Sequence, residues 1–211
     1  MSIPASVARI PARQKPDVNK SLIRQILAIA LACLGFFILI EQATAQSAPE
    51  QQAQKQVTAF LEAAYKAGGD LGALSDVVNR SFAVGTWTNA LLGKEGKAFS
   101  GAETAEFKRL FPAYIAKQYF TQFGGAGSKP GEVTNVRTVR GDVLVTSRIP
   151  GSGRTFSVDW RMRVIGGKPR VIDYTTGGIS AVVLRRSEFQ AKVQQSGPQG
   201  LNSFLKGFIG S

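Results

Sequence analysis

The chain has no histidine and a single cysteine, Cys33. Disulfides within the chain, imidazole zinc sites and Ser-His-Asp triads are therefore excluded, and any thiol chemistry would have to come from Cys33 alone. Acids are also scarce, 14 against 26 Lys and Arg. Asp142, Asp159 and Asp173 stand singly on expected strands or turns, so there is no paired-carboxylate constellation for acid-base work. Long apolar runs are missing too, apart from the fifteen residues Ile26 to Ile40.

That run carries a location. Arg9, Arg13, Lys15, Lys20 and Arg24 precede it against one acid, Asp17, and Ala43-Thr44-Ala45 follows. A basic stretch, an apolar core and a small-x-small site make a secretory signal, so residues 1–45 are expected to be cleaved and 46–211 to work outside the cytoplasm. The rival is an uncleaved anchor, but fifteen helical residues reach roughly 22 Å, short of the ~30 Å hydrocarbon core. Lipidation at Cys33 is disfavoured, because the apolar run continues through Leu34, Phe36 and Phe37 and Ala30 opens a lipobox poorly.

Residues 46–211 suffice for one domain burying around 70% of its unfolded surface. Five bases and two acids fall before residue 46, which leaves 21 against 12 and a net charge of +9. Such a surface is drawn to anions. An exported domain rarely meets nucleic acid, and no basic-aromatic nucleic-acid motif is present. Anionic lipid head groups, acidic partner proteins or a merely solvated basic surface remain open.

Four helices are expected first. Ser47 to Gln56 is a polar, frayed beginning to a helix with Val57, Phe60, Leu61 and Ala64 on its apolar face, stopped by Gly68-Gly69. Leu71, Leu74, Val77 and Val78 mark a second, and Phe82 to Leu92, with Val84, Trp87 and Leu91, a third. Ser100 and Glu103 have capping-box spacing and open a long helix to about Phe123, ended by Gly124-Gly125-Ala126-Gly127.

Residues 131–176 then alternate, with turn signals at Gly141-Asp142, Gly151-Ser152-Gly153 and Gly166-Gly167, which predicts a four-stranded antiparallel meander. On the third strand Phe156, Val158, Trp160, Met162 and Val164 share one face, while Thr155, Ser157, Asp159, Arg161 and Arg163 share the other. Ile179 to Gln195 reads as an amphipathic helix with Val182, Val183, Phe189 and Val193 on one side, broken by Gly197-Pro198 before a last helix with Leu201, Phe204, Leu205 and Phe208. The fold class is α+β, a curved four-stranded sheet packed against helices and enclosing an apolar cavity. An ordinary filled core would use the same aromatic residues.

Several segments together resemble the MlaC-like periplasmic phospholipid carriers, the toluene-tolerance auxiliary proteins of a lipid ABC transporter. They are Val84-Gly85-Thr86-Trp87; FKRLFPAY from Phe107 to Tyr114; VDWRMRV from Val158 to Val164; VIDYTTGGIS from Val171 to Ser180; RRSEF from Arg185 to Phe189; and GLNSFL from Gly200 to Leu205. Lys168-Pro169-Arg170 departs from the family pattern, which has a tryptophan there. The resemblance implies a non-enzymatic carrier without cofactor or metal, shuttling phospholipid between an outer-membrane lipoprotein complex and an inner-membrane ABC transporter complex. It implies that Phe156, Val158, Trp160, Met162 and Val164 wall an acyl-chain cavity and that Trp87, Phe107, Phe111, Tyr114 and Val183 face them. Arg161, Arg163, Arg185 and Arg186 become candidates for head-group or docking charge, and Asp173 is expected to pair with an arginine. Hopanoid carriage, an adaptor without lipid, and an enzyme using Asp159 or Asp173 with Tyr174 are the alternatives.

Overall fold

The computed structural model describes residues 46–123, 129–151 and 153–211. The expected signal, the Gly124–Gly127 helix stop and Ser152 of the second turn lie outside them. Four helices come first: α1 (Ala48–Ala67), α2 (Leu71–Ser81), α3 (Val84–Leu92), a 3-10 turn over Gly93–Ala98, and α4 (Gly101–Phe123). Strands β1 (Glu132–Val139), β2 (Asp142–Pro150), β3 (Thr155–Ile165), β4 (Lys168–Thr176) and β5 (Ile179–Ser180) follow, and α5 (Ala181–Gly210) closes the chain. Among the described residues no helix is long and apolar enough to cross a membrane.

The sheet is one antiparallel, open array in the order β1-β2-β3-β4-β5. It has five strands rather than the expected four, because Ile179 and Ser180 pair with Thr176 and Thr175 before the last helix begins. Three two-residue turns set the meander: Arg140-Gly141, Gly166-Gly167 and Gly177-Gly178, each with both residues at positive φ. This backbone matches the twist of the strands it joins. The first turn lies one residue earlier than expected, and Asp142 is thus a strand residue, buried to 3% exposure.

Helix ends explain two further differences. Ser47 N–H donates to Glu50 Oε2 (2.9 Å), and Thr138 Oγ1 on β1 donates to Glu50 Oε1 (2.8 Å), so the glutamine-rich stretch is helical from Ala48 rather than frayed. Phe82 is not helical; it forms an isolated parallel bridge with Val171, and α3 starts two residues later. The Ser100–Glu103 capping box forms as expected, with Ser100 N–H on Glu103 Oε2 (2.9 Å) and Glu103 N–H on Ser100 Oγ (3.2 Å).

Helix α5 folds back at Gly197, whose φ of 67° and ψ of −178° suit glycine alone, with Pro198 next. Arg185, in its first half, donates to Gln118 of α4 (3.0 Å), while Asn202, in its second, donates to the Glu103 carbonyl (3.0 Å). The Tyr114 ring of α4 lies between Phe189 (5.3 Å) and Phe208 (5.1 Å), one from each half. Helix α4 is thereby gripped by α5. It meets the sheet almost only through long side chains.

Candidate functional site

The seam between helices and sheet is filled by rings. On the inner face of β3, Trp160 donates its indole N–H to Ser147 Oγ (2.8 Å), a pairing that removes the cost of burying both polar groups. Its ring lies 5.1 Å from Phe60 of α1 and 5.7 Å from Tyr174 of β4. Tyr174 is also 6.0 Å from Trp87, which is 5.4 Å from Phe111. Burial pushes the Tyr174 hydroxyl up to about 12, so it stays neutral and is a poor acid or base near neutral pH.

Clefts open at both ends of the Phe60–Trp160–Tyr174 row. One, of about 260 Å³, is bordered by Gln118 and Gln122 of α4, Tyr174 and Thr176 of β4, Ile179, and Leu184 and Arg185 of α5. Ile179 and Leu184 on its rim are more than half exposed, as is nearby Val183. The other, of about 430 Å³, lies between α1, α2 and the start of β4, with Phe60 in its wall. The Val171 carbonyl joins helices to sheet between them, accepting from Ala83 N–H (3.0 Å) and Trp87 Nε1–H (2.9 Å).

The expected wall residues divide into four groups. Trp87, Phe111, Val158, Trp160 and Met162 are buried in the seam's core. Phe107 and Tyr114 are buried too, but against α5, where Phe107 meets Phe189 at 5.9 Å; they pack helix on helix and do not face the sheet. Phe156 is half-buried against Phe123 (5.0 Å). Val164 and Val183, at 52% and 62% exposure, stand outside the core, which corrects their placement on the dry walls. Phe60, Phe82, Tyr119 and Tyr174 were missed as part of the aromatic row and its surroundings.

The expected charges are also redistributed. Asp142 takes Arg161 Nε on Oδ2 (2.7 Å) and Arg163 Nε and Nη2 on Oδ1 and Oδ2 (2.7 and 2.9 Å). Arg163, then Arg161, hold its carboxyl below the usual aspartate value against the opposing effect of burial. Arg161 and Arg163 are therefore structural partners of a buried acid, not free docking charges. Arg185 is paired with Glu188 (2.7 Å), and Arg186 donates Nε to the Ala90 carbonyl (2.6 Å). Among the described residues Asp173 pairs with no arginine, contrary to expectation. It accepts from Ser180 Oγ (2.6 Å) and from the backbone N–H of Tyr174 (2.8 Å) and Val182 (3.1 Å), fixing the start of α5. Among the described residues no three acids, cysteines or histidines gather as a metal site.

A family model described as MlaC protein matches residues 51–207. The chain belongs to the MlaC family. A solved structure of the phospholipid-binding protein from Ralstonia solanacearum, in complex with a phospholipid, is similar in fold: TM-score 0.61 at 17% identity, covering 75% of this chain and 97% of that one. No curated protein matches the chain. The MlaC match takes in every described helix and strand, though it begins inside α1 and ends inside α5.

Proposed function

We propose that this chain is a periplasmic lipid carrier that holds phospholipid acyl chains in the seam between helices and sheet. Carriage runs between an inner-membrane ABC transporter complex and an outer-membrane lipoprotein complex, and the protein is not an enzyme. The observation that carries this reading is the row Phe60–Trp160–Tyr174, set between helices and sheet with a cleft at each end. Family membership and the phospholipid bound to the Ralstonia protein support it.

A sixteen-carbon chain gains on the order of 12 kcal/mol on leaving water, so a shuttle needs a dry site of comparable worth. Each cleft alone is at or below the small end of the ~300–1,000 Å³ typical of drug-sized ligands. A two-chain lipid needs them joined, and movement of the Phe60 and Trp160 rings joins them. Ile179, Val183 and Leu184 then form an apolar lip where a chain can pass without entering water.

Mass spectrometry of lipids extracted from the purified protein tests the reading. Phospholipid in near-equimolar amount is the expected result. A hopanoid would change the cargo and keep the carrier. Protein free of lipid after expression in a lipid-replete host, and inert to added vesicles, would leave the adaptor reading, which the closed burial of Trp87, Phe111 and Trp160 favours.

A further inference from the structure

Of the two clefts, the one between α1, α2 and the start of β4 is cationic. Arg80, Lys168 and Arg170 line it above an apolar wall that includes Ala59, Phe60 and Val77, and no carboxylate lines it. Among the described residues none of the three cations has a salt-bridge partner, whereas Arg161, Arg163 and Arg185 each have one. The cleft thus gathers cations that a small anion would neutralise.

We infer that this cleft receives the phosphate of the carried amphiphile, with Arg80, Lys168 and Arg170 as its donors. The inference rests on the carrier reading and gives the seam a direction. Phe60 is in the cleft wall and 5.1 Å from Trp160, so a phosphate held at the rim places the chains where that ring stands and continues them along the seam. The opposite mouth is unsuited to the head group. Its rim is apolar at Ile179 and Leu184, and its one cation, Arg185, is engaged by Glu188 and Gln118. Arginine forks match phosphate oxygens in pairs, which makes Arg80 and Arg170 the stronger donors.

The test compares phosphatidylglycerol, diacylglycerol of the same chains and inorganic phosphate, each titrated into the purified protein and into a Lys168→Ala/Arg170→Ala variant. The wild type should bind phosphatidylglycerol about ten- to a hundredfold tighter than diacylglycerol, the size of one or two charge-assisted hydrogen bonds. The variant should lose most of that preference and keep its affinity for diacylglycerol. Inorganic phosphate should bind far more weakly than phosphatidylglycerol; equal affinity would assign the cleft to free phosphate and overturn the head-group role. Equal binding of the two lipids by the wild type, or an unchanged preference in the variant, would overturn the inference and leave the carrier intact. Binding of neither lipid would remove the carrier as well. Arg80→Ala, on an exposed position of α2, supplies a second variant that should lose part of the preference.

Discussion

Removing the Asp142 carboxylate would leave two guanidinium groups side by side with nothing between them. Asp142→Ala should lower stability by about 1–2 kcal/mol, since hydrogen bonds to charged groups are strong but both arginine side chains are about half exposed and screened. Urea unfolding at pH 7 measures it. Because the folded carboxyl is held below its unfolded value near 3.9, its contribution is complete above that pH and fades as pH falls through the folded value. The gap between wild type and variant should therefore stay constant from pH 7 to 5 and shrink below about pH 4. A gap that widens in acid would mean that the ion pairs are not its source. This residue was not legible as a structural acid, because Gly141-Asp142 reads as a turn; the turn is centred on Arg140-Gly141, with Arg140 at a φ of 51° that arginine seldom adopts. Tyr174 was hidden by a bulge. The register shift opposite Arg161 and Met162 puts Val171 and Tyr174, three residues apart, on the inner face, so simple alternation does not connect them.

At the scale of elements, α4 is fixed to α5 and only lightly attached to the sheet, where Gln122 Nε2 donates to Thr176 Oγ1 (3.0 Å). On the proposed carrier reading, lipid entering the seam would have to part α4 and the sheet. A Gln122→Cys/Thr176→Cys variant in a Cys33→Ser background, joined by a short thiol crosslinker, should lose lipid uptake almost completely, while the uncrosslinked variant and each single cysteine keep it. Uptake at the uncrosslinked rate, read by fluorescent-lipid transfer from vesicles, would show that α4 and β4 need not separate. Helical periodicity identified the buried faces of α1 to α4 and, apart from exposed Val183, of α5, and Gly197-Pro198 marked the break in α5. It could not say which neighbour each face meets. Phe107, Phe111 and Tyr114 lie on one stripe, yet Phe111 turns to Trp87 while Phe107 and Tyr114 turn to Phe189. Periodicity reports burial; the partner is a matter of tertiary packing.

For the molecule as a whole, the excess of nine positive charges over residues 46–211 should govern encounter with anionic bilayers. Cosedimentation with phosphatidylglycerol-rich vesicles should fall steeply between about 0.01 and 0.15 M salt, as the screening length drops from roughly 30 to 8 Å. Binding to phosphatidylcholine vesicles should be weak at every salt concentration. Strong binding that ignores salt would point instead to insertion of the Ile179–Leu184 lip. The meander also has a bearing on how many copies can crowd together safely. An open sheet has two borders, and each could template a neighbouring chain. Here β1 is the outer border on one side, and most of its residues, Glu132 and Arg137 among them, face solvent as polar groups. On the other side β5 has only two residues, and the Val171 carbonyl of β4 is already taken by Ala83 and Trp87. Neither border offers a long apolar ladder, so a carrier that opened its apolar interior to load lipid would still present no strand edge suited to polymerising.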